Sequence, residues 1–146
     1  MNSNAHAMIS IRPTYVEGIL AGTKTVELRR RFLNLPVGST LWIYSTLPVG
    51  AIVAVATLSY IDYDKPERLW RKYSRDVGIQ NNHFDAYFDG CQLGVALRLT
   101  DVREVTPLAL EAIREIRGVR QIPQVAARVS EQEANRFAKG GRMALA

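Results

Sequence analysis

Two β-branched and aromatic runs, residues 40–46 and 51–61, stand on either side of Leu47-Pro48-Val49-Gly50, and no other feature of the sequence restricts the fold as much. Branched and flat side chains suit a pleated surface buried on at least one face, and a short interval holding Pro and Gly reverses the chain. The pair predicts a hairpin at the heart of a sheet. Around it the periodicity gives a short strand at 8–11, a strand at 25–32, helices at 66–75 and 82–88, a long strand at 93–105 and a helix at 107–117 closed by Gly118. Between the first two strands lies a further helix. Thr14 and Glu17 have capping-box spacing, Val16, Ile19 and Leu20 share a face, and Gly22 supplies the stop. The order β-α-β-β-β-α-α-β-α has too few βα alternations for a doubly wound sheet, so the expected class is α+β: a bent mixed sheet or partial barrel flanked by short helices.

At 146 residues and 47% hydrophobic, the chain holds enough apolar side chains for one core. We expect a flexible leader at 1–7, a single domain at 8–137 and a loose tail at 138–146, where Gly140 and Gly141 interrupt the pattern. The single cysteine, Cys91, cannot form an internal disulfide, and with only His6 and His83 it cannot complete a structural zinc site. No run approaches the roughly 20 apolar residues of a membrane span, and the start lacks the basic and apolar regions of a signal peptide. The expected location is cytoplasmic, with no cofactor, metal or membrane partner.

The chain carries a formal charge of +5, with 15 Arg and 4 Lys against 14 acids. Arginine suits bidentate phosphate contact and stacking on bases, although excess charge also simply keeps a small protein soluble. The chemistry concentrates in residues 22–31. On a regular strand Glu27, Arg29 and Arg31 point to one face and Val26, Leu28 and Arg30 to the other, with Lys24 at the entrance. A cation, a carboxylate and a guanidinium in a row can grip a phosphate and a polar base edge, and if their head groups are solvated they can be removed with little loss of fold. The same spacing also fits an edge strand protected by charge. A second basic set, Arg68, Arg71, Lys72 and Arg75, falls at i, i+3, i+4 and i+7 beside Trp70, either as a solvated helix face or as a track for backbone phosphates. Trp42, Tyr60 and Phe32 read as core, whereas Tyr44, near a strand end, is placed to stack on a base.

The run Gly22-x-Lys24-x-x-Glu27-x-Arg29 resembles the G-x-K-x-x-E-x-R signature of the ASCH family, a branch of the PUA-like superfamily. Ile9-Ser10-Ile11-Arg12-Pro13, Tyr44-Ser45-Thr46 and the segment from Phe84 to Gly90 resemble that family in order and spacing, so the likeness spans about residues 8–130. It implies a pseudo-barrel whose cleft is lined by Lys24, Glu27 and Arg29, with Gly22, Arg12, Tyr44, Ser45 and Thr46 nearby. Ile122-Pro123-Gln124 resembles a Pro-Pro-Gln segment closing the cleft, with Ile122 in place of the first proline. It also implies RNA or nucleotide binding, in translation-linked or transcript regulation. Two enzymatic alternatives come with the family. One is an amidohydrolase acting on acylated cytidine, in which Glu27 here stands where a threonine is required. The other is a metal-independent ribonuclease using Lys24, Glu27 and Tyr44. A protein-interaction adaptor is the third class, with partners that the residues do not identify.

Overall fold

The computed structural model describes residues 5–122 and 126–143. The elements run β1 His6–Ile11, α1 Pro13–Ala21, β2 Val26–Arg29, β3 Thr40–Ser45, β4 Ala51–Asp64, α2 Pro66–Tyr73, α3 Asn81–Tyr87, β5 Gly94–Ala109, α4 Leu110–Arg117, β6 Ala126–Val129 and α5 Glu131–Gly140. The six strands form one mixed sheet in the order β2-β5-β4-β3-β1-β6, with β1 and β3 parallel and every other pair antiparallel. This sheet curls into a half-barrel flanked by the helices, as the α+β expectation required.

The expected hairpin is β3–β4, and its long continuation into β5 provides the bend. Three register shifts interrupt the β4–β5 ladder, at Ile52/Ala54, Val55/Thr57 and Leu58/Tyr60, and such irregularities increase local twist. Pro107 lies inside the first of them, between the paired residues Glu104 and Leu108, where a missing N–H is tolerated. The chain therefore stays extended to Ala109, and α4 begins three residues later than the proline predicts.

Side chains alternate between two faces. Ile9, Ile11, Leu41, Ile43, Leu58 and Leu97 pack inside the curl with Val16 and Ile19 of α1. Met8, Trp42, Tyr44, Ile52 and Leu108 pack on the other face beneath Ile113 of α4 and Phe137 of α5. A third cluster joins Val26, Leu28 and Ala96 to Leu69, Val77, Phe84 and Phe88.

Several sequence expectations are corrected. Helix α1 is capped by the Arg12 backbone with Pro13 in its first turn, because proline's fixed φ and missing N–H suit the first helical position; Thr14 lies within the helix. The leader ends earlier than residue 7, since His6 and Ala7 are buried in β1 and pair with both β3 and β6. Nor is the segment after 137 loose over its described length. Ala138 is buried, α5 runs to Gly140, and the Gly141 carbonyl accepts from Thr106 N–H. A Cβ at Gly140 would lie 2.5 Å from Leu108 Cδ2, so this glycine marks close packing. Trp42 is fully buried and Phe32 partly so, but Tyr60 is 52% exposed. No helix among the described residues is long and apolar enough to cross a membrane.

Candidate functional site

The turn from α1 into β2 places the first site residue. Gly22 adopts φ +81°, and the next two amides, Thr23 N–H and Lys24 N–H, both bond to the Gly18 carbonyl, which aims the chain inward. Lys24 then passes between two glycines. A Cβ on Gly18 would sit 3.3 Å from Lys24 Cβ, and one on Gly78, itself at φ +61°, would sit 2.9 Å from it. A side chain at Gly78 would force Lys24 to shift and one at Gly18 would crowd it, so the two glycines make room for a lysine buried to 3% exposure.

Lys24 Nζ donates to the carbonyl oxygens of Val77 at 2.6 Å and Val26 at 3.0 Å, and pairs with Glu27 Oε1 at 3.2 Å. Its three donors are thus all engaged. The second carboxylate oxygen of Glu27 meets Arg29 Nη2 at 2.7 Å, and the same Nη2 donates to the Ser10 carbonyl at 2.6 Å. Strands β2 and β1 are four places apart in the sheet, which in a flat sheet is roughly 19 Å at about 4.8 Å per strand. The Arg29–Ser10 bond spans the inside of the curl, so the triad closes the half-barrel. This revises one expectation: the head groups of Lys24, Glu27 and Arg29 are buried and mutually paired rather than solvated.

The triad forms one wall of a cavity of about 650 Å³. Lys24, Glu27 and Arg29 line it together with Arg12, and Tyr15 and Tyr87 supply aromatic walls. Lys24 Nζ lies 5.2 Å from the centre of the Tyr15 ring. The Tyr87 hydroxyl accepts from Arg30 N–H at 3.2 Å. Burial is the main influence pushing the Tyr87 phenol up, opposed by the neighbouring Arg29 cation and reinforced by the Glu27 carboxylate, so the ring stays a neutral hydrogen-bonding group. Among the described residues the lining carries three cations, Arg12, Lys24 and Arg29, against the single carboxylate of Glu27.

The remaining predicted residues are dispersed. Tyr44 is buried and lines an adjoining cavity of about 610 Å³ rather than this one, and Ile122 lines that cavity too. Gly22 and Ser45 line neither: Gly22 turns the chain, and Ser45 is buried at the end of β3. Gln124 lies outside the described residues. On α2 and just beyond, Arg68, Arg71, Lys72 and Arg75 are exposed, and none lines either cavity. Arg68 faces Asp64 at 3.9 Å, and Lys72 meets Asp62 at 2.7 Å and Asp64 at 3.0 Å. Among the described residues no group of three or more His, Cys, Asp or Glu is placed to hold a metal ion.

Thr46, expected near the cleft with the end of β3, does line the cavity, whereas sequence reasoning missed Tyr15, His83 and Tyr87 as lining residues. A signal for two of them was present. His83 and Tyr87 are four apart on α3, next to Phe84 and Phe88, which are four apart on its buried side, so the helix has one face for the core and one for the cavity.

No family model matches the chain. It is 32% identical over 131 residues to an ASCH domain-containing ribonuclease of Zymomonas mobilis, a match covering 90% of this chain and 88% of that protein. The crystal structure of the Zymomonas mobilis ASCH protein superposes with a TM-score of 0.88 at 30% identity, covering 92% of this chain and 94% of that one. A protein of Agrobacterium tumefaciens with a TM-score of 0.62 at 12% identity, covering 97% of this chain and 96% of its own, shares the fold alone. With the signature lysine, glutamate and arginine joined at the mouth of the curl, and with identity to a family member extending over nine-tenths of its length, the chain belongs to the ASCH domain family.

Proposed function

We infer that the protein binds single-stranded RNA, with one nucleotide unit seated in the cavity beside the Lys24–Glu27–Arg29 triad. The observation that carries this reading is the surplus of positive charge in an aromatic-walled cavity of about 650 Å³, within the range of about 300–1,000 Å³ common for small-molecule sites. Arg12 is exposed at the rim, and its side chain forms no cap bond to α1, so its guanidinium is available to a phosphate. Tyr15 and Tyr87 offer flat surfaces to a base. Lys24 acts here through its charge and its grip on the fold, since its donors are engaged. The ribonuclease name of the Zymomonas mobilis relative supports an RNA ligand.

That name also favours a second reading, metal-independent RNA cleavage. In such a reaction a base takes the proton of the ribose 2′-hydroxyl, the oxygen attacks the adjacent phosphorus, and the departing 5′-oxygen takes up a proton. Lys24 and Glu27 are tied into the fold, and Tyr44 is buried in the adjoining cavity. His83, on the wall of the first cavity, is of the residue type best suited to carry a proton.

Incubating chelator-treated protein with end-labelled single-stranded RNA tests both readings. Binding without breakdown supports recognition alone. Breakdown that is lost in His83→Ala and kept in Lys72→Ala supports cleavage in the cavity. Absence of both binding and breakdown would overturn the assignment to RNA.

A further inference from the structure

We propose that the protein reads at least two consecutive nucleotides, with the second cavity acting as a phosphate-binding subsite built by Arg114 and Arg120. The proposal rests on the RNA reading of the first cavity. The two cavities share Ser10 and Thr46 as lining residues, so a single partition separates them. That partition stands where two parallel strands end together: Ser10 pairs with Tyr44 across β1 and β3, and Thr46 N–H bonds to the Ile11 carbonyl at 3.0 Å. At about 650 and 610 Å³, each compartment is large enough for a small-molecule ligand, and a repeating ligand can fill both.

The second compartment differs in chemistry from the first. Among the described residues its lining holds two arginines and no carboxylate. Arg114 Nε donates to the Arg120 carbonyl at 2.6 Å, which folds the loop after Gly118 back against α4 and fixes the direction of the Arg114 fork. Neither the terminal nitrogens of Arg114 nor the side chain of Arg120 has a hydrogen-bond or ion-pair partner among the described residues. One oriented guanidinium with free terminal donors, beside a second that is unpaired, matches the tetrahedral oxygens of a phosphodiester. Buried Tyr44 and exposed Leu47 complete a partly apolar wall. A free mononucleotide needs only the first compartment, whereas a phosphodiester-linked ligand engages the arginines of the second.

Equilibrium binding of uridine 5′-monophosphate and of a labelled hexauridylate, measured over a salt series, tests this. Wild-type protein is compared with Arg114→Ala/Arg120→Ala and with Arg120→Glu, the latter removing no side-chain bond of the fold. The expected result is a loss of roughly tenfold or more in hexamer affinity for both variants, consistent with removal of charge-assisted contacts. The monophosphate affinity stays unchanged. The slope of log affinity against log salt flattens by about 1.4 for the double variant, two contacts at about 0.7 each. Unchanged hexamer affinity in both variants overturns the second subsite while leaving the first cavity's assignment intact. Equal losses for both probes also overturn it, because the arginines would not then serve a second nucleotide. Failure of the wild-type protein to bind either probe overturns the nucleotide reading and this proposal with it.

Discussion

Lysine, arginine and carboxylate meet at two places in this molecule, and the surroundings give them opposite properties. In the first, Lys24, Glu27 and Arg29 are each under 10% exposed, and their ion pairs close at 3.2 and 2.7 Å. In the second, Lys72 and Arg68 extend from α2 toward Asp62 and Asp64 with the cations largely in solvent. Water and salt screen the exposed group, so its pairs contribute little. Two aspartates also neutralise much of the ridge that its spacing presented as a phosphate track. The buried group cannot be screened, and each member depends on the others to offset the loss of hydration. The charge pattern alone does not separate the two cases. Their neighbours do: Val26 and Leu28 alternate with the charges of β2 and bury the strand, whereas α2 fully buries Leu69 and carries its cations on exposed positions.

The largest expected difference follows from that contrast. Lys24→Ala leaves Glu27 with one cation and strips the Val77 and Val26 carbonyls of a donor, and breaking a buried ion pair costs about 3–5 kcal/mol. For a chain of this length that is a fall in Tm on the order of 10 °C. Lys72→Ala leaves Tm within the scatter of the measurement. Thermal unfolding of the two variants side by side breaks the comparison if they lose similar stability.

A smaller effect, on binding and not on folding, is expected at the cavity rim. Arg12→Ala removes an exposed guanidinium that makes no cap bond to α1, and affinity for a short RNA falls roughly tenfold through loss of one charge-assisted contact. Its Tm stays at the wild-type value. A titration paired with a melting curve separates this outcome from a structural defect.

A third site extends the comparison to a buried group that avoids charge altogether. His6 in β1 is buried, and its Nδ1 accepts from Trp42 Nε1–H at 3.3 Å. Burial is the main cause lowering its pKa below the usual 6.5, with Glu131 opposing. Because the folded value lies below the unfolded one, the unfolded chain takes up the proton first as pH drops. The stabilisation is complete above about pH 6.5 and is lost as pH falls through the folded value. His6→Gln, which keeps an acceptor for Trp42, flattens the loss of Tm between neutral pH and the mildly acidic range. An unchanged pH profile would show that other groups set it.

The smallest change is expected on the exposed ridge. Arg71→Ala/Arg75→Ala shifts the salt slope of RNA binding by less than about 0.7, the value of one phosphate contact. A larger shift would return α2 to the binding surface.

Much of this architecture is legible in the sequence. The β3–β4 hairpin follows from its branched runs and turn, and the facing of Glu27 and Arg29 follows from strand alternation. What escapes is set by contacts distant in sequence. Burial of Lys24 depends on Gly78 and Val77, more than fifty residues away, which spacing within 22–31 does not reveal. Pairing of Leu108 and Ala109 with Ile52 and Ala51 keeps the chain extended past Pro107, where local pattern favours a helix. Helix α5 was readable and was missed. Ser130 and Glu133 form a reciprocal capping box, and Ala134, Phe137 and Ala138 recur at helical spacing, but Gly140 and Gly141 read as a tail. Division of the cleft into two compartments, with Tyr44 on the far side of Ser10 and Thr46, depends on where β1 and β3 end in space.

The central claim is that RNA is held in the cavity closed by the buried triad and not along the basic helix. Chemical-shift mapping of the isotope-labelled protein with a short single-stranded RNA tests it most directly. The account predicts perturbations centred on Arg12, Thr46, His83 and Tyr87, with α2 unaffected. Perturbations confined to Arg68, Arg71, Lys72 and Arg75, with the cavity residues unmoved, would contradict it.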